Sequence, residues 1–307
     1  MPGMESPKIV SFGVLNVDFV MELGNETIGK KRIGKQISIN AGGHGSSQAI
    51  AAVRDGISTA VIGKIGDDAF GQQIEATLRK EKVDCRFLSK MQGVHSGLAT
   101  ILVENQKENI FIDFLGANYK LTKEDIDLCC HVIQTAELVM IHMGPAMIDV
   151  AYHVVDMANE YHVPVLVCPS MSIKIPQQFL EKVDYLVLNL SQASSICGLN
   201  DETVRSGRIA ASLLSSIVRK NVIVQMDANG VLVSDNGLYS IMNSVPEQKI
   251  VDYSGAIDFF VGVLAAEIVK GKTVQEAAIK AHKAAILCMQ TVGVYASFPS
   301  AESLETL

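Results

Sequence analysis

The chain has 307 residues, 48% of them hydrophobic and 19% charged, which is typical of a folded globular protein with a substantial core. Its formal net charge of −7 argues against nucleic acid as the main partner, because a phosphate backbone is bound by clustered lysines and arginines. The six cysteines lack zinc-like spacing, and Asp18 and Glu267 interrupt the two long apolar runs. We therefore expect a reduced cytoplasmic protein that does not enter the membrane.

Strand-like and helix-like segments alternate along the chain. The strand-like runs are short and apolar, at residues 9–14, 59–63, 138–142, 163–168, 185–188 and 222–225. The helix-like stretches lie between or after them, at residues 46–55, 71–82, 146–161, 206–220 and 273–291. This alternation predicts an α/β fold in which helices cover both faces of a mainly parallel sheet and ligands bind outside the carboxyl ends of the strands. We find no repeat or linker in the sequence and expect a single domain over residues 1–307.

Two regions break the alternation. Residues 18–39 and 97–113 lack helical periodicity, and the second reads as two strands joined by a polar turn at 104–108. Together they could form one small sheet. From the residues alone, such an excursion could equally be a surface hairpin.

Residues 251–270 place Asp258 in a glycine-containing turn at the start of an apolar helix. The free N–H groups and the positive dipole end of a helix N-terminus favour a polyanion such as a triphosphate. A carboxylate in the same turn could accept the proton of an alcohol that attacks the γ-phosphorus. The alternative is that Asp258 only caps the first turn of the helix.

Two glycine-rich segments lie far upstream, NAGGHGSSQAIAA at 40–52 and IGKIGDDAFG at 62–71. Together with DYSGAID at 252–258, they resemble the two signatures of the ribokinase/PfkB sugar and nucleoside kinases, the second of which is usually written D-T-x-G-A-G-D. The resemblance begins at residues 13–18 and continues to Gly293 and 297–299. It implies a three-layer αβα, Rossmann-like fold in which 18–39 and 97–113 build a β lid over the sugar. In the family this lid often doubles as a homodimer interface.

The resemblance implies a sugar site formed by Asn16, Asp18, Gly42, Gly43 and Ser47. Asn16 and Asp18 suit a polyol, because in an extended segment residues two apart point the same way and can bind neighbouring hydroxyls. The two glycines would let the backbone approach the ligand, and Ser47 stands where the family commonly has a sugar-binding asparagine. The alternative is that Asn16 and Asp18 form a turn and the glycines only let a helix pack closely.

The resemblance also implies ATP and Mg²⁺ as the phosphoryl donor and its metal. The residues that match the nucleotide side are Asn189, Gln225, Gly230 and, as an adenine-edge contact, His282. The family motif Asn-x-x-Glu reads 189–192 here, so Gln192 replaces a carboxylate that helps to organise magnesium, and a neutral amide attracts the ion less. Asp227 adds a negative charge near the expected triphosphate.

In the family pattern Asp258 is the catalytic base, and the amides of Gly255, Ala256 and Ile257 complete an anion hole. The third of these positions is normally glycine, and isoleucine strongly disfavours a positive φ. The sequence leaves open whether residue 257 is helical or the anion hole is distorted. Many relatives are activated by K⁺ or another monovalent cation held by backbone carbonyls, and the matching residues are Asp252, Ser254 and Ser297.

The sequence thus predicts an ATP-dependent carbohydrate kinase that phosphorylates a primary hydroxyl of a small sugar. One alternative is a nucleoside kinase on the same fold, which the 6% aromatic content and the absence of tryptophan disfavour. The other is a catalytically weak homologue that senses a sugar or binds a partner, which Ile257, Gln192 and Asp227 motivate.

Overall fold

The computed structural model describes residues 6–28, 31–104, 108–170, 173–226, 229–235, 238–242, 250–291 and 293–307. Asp227 and residues 105–107 of the expected polar turn lie outside these ranges.

The strands are β1 (Ile9–Phe12), β2 (Asn16–Ile28), β3 (Lys31–Gly42), β4 (Thr59–Gly66), β5 (Leu88–Met91), β6 (Gly97–Glu104), β7 (Glu108–Phe114), β8 (Leu138–Met143), β9 (Val165–Pro169), β10 (Tyr185–Asn189), β11 (Asn221–Gln225), β12 (Val231–Asp235) and β13 (Leu238–Met242). The helices are α1 (His44–Arg54), α2 (Ala69–Lys80), α3 (Lys123–Leu128), α4 (Cys130–Thr135), α5 (Ile148–Glu160), α6 (Gln177–Leu180), α7 (Leu190–Ile196), α8 (Val204–Ser215), α9 (Ala256–Val269), α10 (Val274–Cys288) and α11 (Ala301–Glu305).

The main sheet has the strand order β13-β12-β11-β10-β9-β8-β1-β4-β5 over the described residues. Every pairing from β11 to β5 is parallel, while β12 pairs antiparallel with both β11 and β13. One apolar core packs α1, α2, α9 and α10 on one face of the sheet, and a second core packs α3 to α8 on the other. The predicted mainly parallel α/β fold with helices on both faces is therefore confirmed.

A second sheet has the order β3-β2-β6-β7 and is built from the two segments that break the strand–helix alternation. Its central pair, β2 and β6, is parallel, and both outer pairs are antiparallel. β2 begins at Asn16 and β3 ends at Gly42, so one end of this sheet lies beside the glycine-rich turn that starts α1.

Helix α9 is buried from Ala256 through Glu267 apart from Ile257, and it packs directly on α1. Gly262 permits this approach, because a Cβ there would overlap the carbonyl oxygen of Gln48. The close contact of α1 with α9 aligns their N-termini, and this alignment sets up the site described below.

Glu267 is a charge within this buried helix, and an ion network accounts for it. Lys270 Nζ lies 2.7 Å and Lys280 Nζ 2.9 Å from Glu267 Oε1, and both lysines also contact the buried carboxylate of Asp55. A buried carboxylate is tolerated when it is paired in this way. None of the helices in the described ranges is long and apolar enough to cross a membrane.

Candidate active site

The first turn of α9 carries the residues of the expected anion hole. Gly255 precedes the helix with φ of 75°, and a Cβ there would lie 2.7 Å from Val294 Cγ1. The left-handed conformation thus falls on the glycine that the chain retains, while Ile257 lies inside the helix. Residue 257 is therefore helical, a conformation that isoleucine adopts without strain. Ala256 N donates to Tyr253 O over 3.3 Å, while the N–H groups of Ile257 and Asp258 have no acceptor within the helix.

Asp258 projects from the same turn and is only 5% exposed. Gln48 Nε2 donates to Asp258 Oδ1 over 2.9 Å, and His44 Nδ1 lies 3.0 Å from each carboxylate oxygen. His44 and Gln48 lie within the glycine-rich segment at 40–52, but the motif alone predicts no role for either. Their spacing could have indicated that both contact the same group, because residues four apart on α1 lie on one face of the helix.

His44 and His142 form a stacked pair with ring centroids 3.6 Å apart. Burial disfavours a charged His44, but the neighbouring carboxylate of Asp258 favours it, and the pKa of His44 rises above its ordinary value. Burial, with a smaller contribution from His44, holds the pKa of His142 well below its ordinary range. Burial therefore favours the neutral form of His142, while Asp258 favours the charged form of the half-exposed His44.

Asp18 lies close to this group and is 6% exposed. A Cβ on Gly42 would overlap its carboxylate, so the glycine is required by the position of the acid. Burial raises the pKa of Asp18 to about 7 against the opposing charge of His44, and Asp258 and Asp113 add to the rise. The charged form of Asp18 is thus disfavoured in the unliganded protein.

Asn16 is held by a residue that the sequence analysis missed. Asn118 Nδ2 donates to Asn16 Oδ1 over 3.0 Å, and Asn118 also bonds both backbone groups of Leu15. Gly43 caps α1 with φ of 85°, and Ser47 is buried in the first turn of that helix. The predicted sugar residues therefore gather around the N-terminus of α1, next to Asp258.

A cleft of about 450 Å³ opens on the other side of the α9 N-terminus. The residues that line it are Asn189, Leu190, Ser191, Glu202, Gln225, Asn229, Tyr253, Ala256, Ile257 and Met289. Two of the four predicted nucleotide residues, Asn189 and Gln225, are among them. Gly230 occupies the turn before β12 with φ of 97°, and His282 is buried on α10 outside this lining.

Gln192 serves a structural role that explains its amide. Its Oε1 accepts from Asn189 N over 2.7 Å, its own N–H bonds Asn189 Oδ1, and its Nε2 donates to Pro169 O over 2.6 Å. A glutamate could not make the last bond, because a carboxylate has no donor. Among the described residues that line the cleft, Glu202 carries a carboxylate, which accepts from Ser191 Oγ over 2.8 Å.

The two segments matched to a monovalent-cation loop are adjacent. The Asp252 carboxylate accepts from Ser254 N over 2.9 Å and from Gly293 N over 2.8 Å. Ser297 Oγ donates to Val294 O over 2.7 Å. The side chains thus hold the loop together, and any cation would be bound by backbone carbonyls. No cluster of three acidic, histidine or cysteine ligands suited to a metal is found among the residues described.

The family model for pfkB family carbohydrate kinases matches residues 6–301. The chain belongs to this family. It is 28% identical to a ribokinase of Schizosaccharomyces pombe over 306 residues, 95% of each chain, and 28% identical to a deoxyribokinase of Salmonella typhi over 269 residues, 86% of each. The structure of Arabidopsis thaliana ribokinase complexed with ribose and ATP superposes with a TM-score of 0.88 and 25% identity, covering 98% of both chains.

As a PfkB carbohydrate kinase, the protein is an enzyme that transfers phosphate to an alcohol. The shared fold and the match along nearly the whole chain confirm the ribokinase-like architecture predicted from the sequence.

Proposed function

We propose that the protein catalyses the ATP-dependent phosphorylation of a primary hydroxyl of a small sugar. The observation that carries this proposal is the position of Asp258 between two sites. One side of its carboxylate faces His44 and Gln48 of the glycine-rich α1 turn, and the neighbouring Ala256 and Ile257 line the 450 Å³ cleft. A base for phosphoryl transfer must stand between the acceptor and the nucleotide.

The proposed reaction uses Asp258 as the general base. Gln48 holds Oδ1, so Oδ2 remains for the acceptor hydroxyl once His44 releases it. Asp258 takes the hydroxyl proton as the sugar oxygen bonds to the γ-phosphorus and the bond to the bridging oxygen of ADP breaks. The N–H groups at 255–258 stabilise the charge on the transferring phosphoryl group.

Asn16, Asp18, Gly42, Gly43 and Ser47 form the acceptor site in this proposal. Asp18 would bind neighbouring hydroxyls as a carboxylate, and Gly42 would let the backbone approach the ring. The names of the relatives, ribokinase and deoxyribokinase, favour a pentose as the acceptor.

The cleft accommodates the nucleotide, with ATP favoured because the Arabidopsis thaliana relative is complexed with it. Its donor set suits Mg²⁺, an ion that proteins hold with one or two carboxylates in addition to substrate phosphates. Glu202 and Asn189 would provide the protein oxygens, and the ion would neutralise phosphate charge when bound. K⁺ would lie at the carbonyls near Asp252, Ser254 and Ser297.

All six cysteines are free thiols, which supports a reducing compartment such as the cytoplasm.

The four-stranded sheet is the lid of the single 1–307 domain in this proposal, and its outer face supports a homodimer. The face opposite Asp18 exposes large apolar side chains, among them Ile37, Ile39, Ile110, Ile112 and Phe114. Contiguous apolar surface of this kind marks an interaction site.

A nucleoside is the second candidate acceptor, and one observation favours it. Phe111 is 61% exposed and lies in register with Ile101 and Val20, on the same lid face as Asp18. An exposed ring one row from the sugar residues could stack on a nucleobase.

A coupled ADP-release assay with ATP and Mg²⁺ tests both candidates. The panel contains ribose, deoxyribose, fructose, their phosphates, and adenosine and inosine. A free pentose as the best acceptor supports the sugar kinase. A nucleoside as the best acceptor, with a KM that rises in Phe111→Ala, replaces it by the second candidate. Binding of a sugar with no ADP release from any acceptor contradicts the proposed function and leaves a sugar-sensing homologue.

A further inference from the structure

A row of three residues crosses the lid on its inner face, which we define as the face that carries Asp18. The strand register pairs Asp18 with Ala99, and Ala99 with Asp113. Residues paired in this way present their side chains on the same face of a sheet. Strands lie about 4.8 Å apart, so the Cα atoms of the two acids are roughly 10 Å apart. Ala99 stands between the two acids in this row and is itself buried.

No contact of Asp113 with the described residues accounts for a carboxylate at this position. It is exposed, and within the described part of the chain we find no hydrogen bond or salt bridge to its side chain. Its charge nevertheless acts on both Asp18 and His44, which places it in the electrostatic environment of the acceptor site.

The charges around the acceptor site are mostly negative. Asp18, Asp113 and Asp258 contribute three acidic side chains, and within the described part of the chain His44 is the one cationic group that acts on the pKa of Asp18. An acceptor that already carries a phosphate would be repelled by this excess of negative charge.

We propose that Asp113 is a specificity-determining residue of the acceptor site. With Asp18 it forms a two-carboxylate clamp that selects an unphosphorylated polyol presenting hydrogen-bond donors, either hydroxyl or ammonium, at two opposite edges. This inference rests on the proposed function and adds to it the class of acceptor. The clamp suits a ring held between the two acids, with one edge bound by each, because a carboxylate accepts from hydroxyl or ammonium donors and offers none itself.

The test compares wild type with Asp113→Asn and Asp113→Ala. Glu22→Gln is the matched control, because Glu22 is an exposed acid on the same face of β2, two rows from Asp18. The acceptors are ribose, fructose, glucosamine and ribose 5-phosphate, and KM is measured separately for the acceptor and for ATP. We expect both Asp113 variants to raise the KM of the best acceptor about 10- to 100-fold, the range for losing a charged hydrogen-bond partner. We expect kcat, the KM of ATP and the melting temperature to stay near wild type, and Glu22→Gln to change none of them.

An acceptor KM that does not change in the Asp113 variants overturns the inference, as does a best acceptor that is phosphorylated. A larger KM effect for glucosamine than for the neutral sugars assigns the Asp113 edge to ammonium, and an equal effect assigns it to hydroxyl; both support the clamp. If wild type releases no ADP with any acceptor, the proposed function fails, and calorimetric binding of the same four compounds decides about Asp113. Weaker binding by Asp113→Asn then supports the clamp, and equal binding or no binding contradicts it.

Discussion

Asp18→Asn is expected to stabilise the unliganded protein at alkaline pH while it weakens sugar binding. Burial raises the pKa of Asp18 to about 7 from an ordinary value of 3.8. The pKa of Asp18 is higher in the folded protein than in the unfolded chain, so the folded protein binds the proton more tightly. The folded protein therefore loses stability relative to the unfolded chain as pH rises from about 4 to about 7. An asparagine carries no charge and removes this cost.

The magnitude follows from the two pKa values. One unit of pKa difference corresponds to about 1.36 kcal/mol. At pH 5 Asp18 is protonated in the folded protein but mostly ionised in the unfolded chain, which lowers the free energy of unfolding by about 1.7 kcal/mol. At pH 8 the free energy of unfolding is lowered by about 4 kcal/mol. The substitution Asp18→Asn should therefore raise the free energy of unfolding by about 2–3 kcal/mol more at pH 8 than at pH 5. For a chain of this length that difference corresponds to roughly 4 °C in melting temperature.

The assay is thermal unfolding of wild type, Asp18→Asn and Glu22→Gln in ligand-free buffer at pH 5 and pH 8. The control removes an exposed acid from the same strand and should show no such pH-dependent gain. An Asp18→Asn melting temperature that changes equally at both pH values, or falls further at pH 8, would refute the reasoning. Calorimetry should also show sugar affinity reduced by about 1.5–3 kcal/mol, with ATP affinity unchanged.

Two further substitutions test the nucleotide side of the site. Ile257→Gly should leave kcat unchanged or lower and cost up to about 1 kcal/mol of stability, because residue 257 is helical; a clear rise in kcat in the ADP-release assay would show instead that isoleucine obstructs the anion hole. Gln192→Glu should lose the bond to Pro169 O and place a carboxylate beside that carbonyl, costing about 1–3 kcal/mol in urea denaturation and raising the KM of ATP; a wild-type denaturation midpoint would contradict the assigned role.

Local sequence patterns accounted for most of the main sheet and its helices. The sequence pattern did not predict β12 and β13, because they form an antiparallel extension after β11, where the strand–helix alternation stops. β5 has a partly exposed four-residue pattern that resembles a loop. Such strands are defined by their neighbours more than by their own sequence.

The candidate site was predictable where a motif carried it and unpredictable where a partner came from elsewhere in the chain. Asp258 and Gly42 could be named from their motifs, but the contact of His44 with Asp258 joins residues 214 positions apart. Asn118, which holds Asn16, is 102 positions away from it. Asp113 was read only as the end of a lid segment, because its place opposite Asp18 depends on the register of three strands.

The central claim is that Asp258 is the base that activates the acceptor hydroxyl, and single-turnover formation of sugar phosphate by wild type and Asp258→Asn tests it most directly. The asparagine keeps the shape of the side chain but cannot take the proton, so we expect the rate to fall by roughly two to four powers of ten. Calorimetry on the same variant should show sugar and ATP still bound, which separates a loss of chemistry from a loss of folding. An Asp258→Asn enzyme that forms sugar phosphate at the wild-type rate would contradict the account.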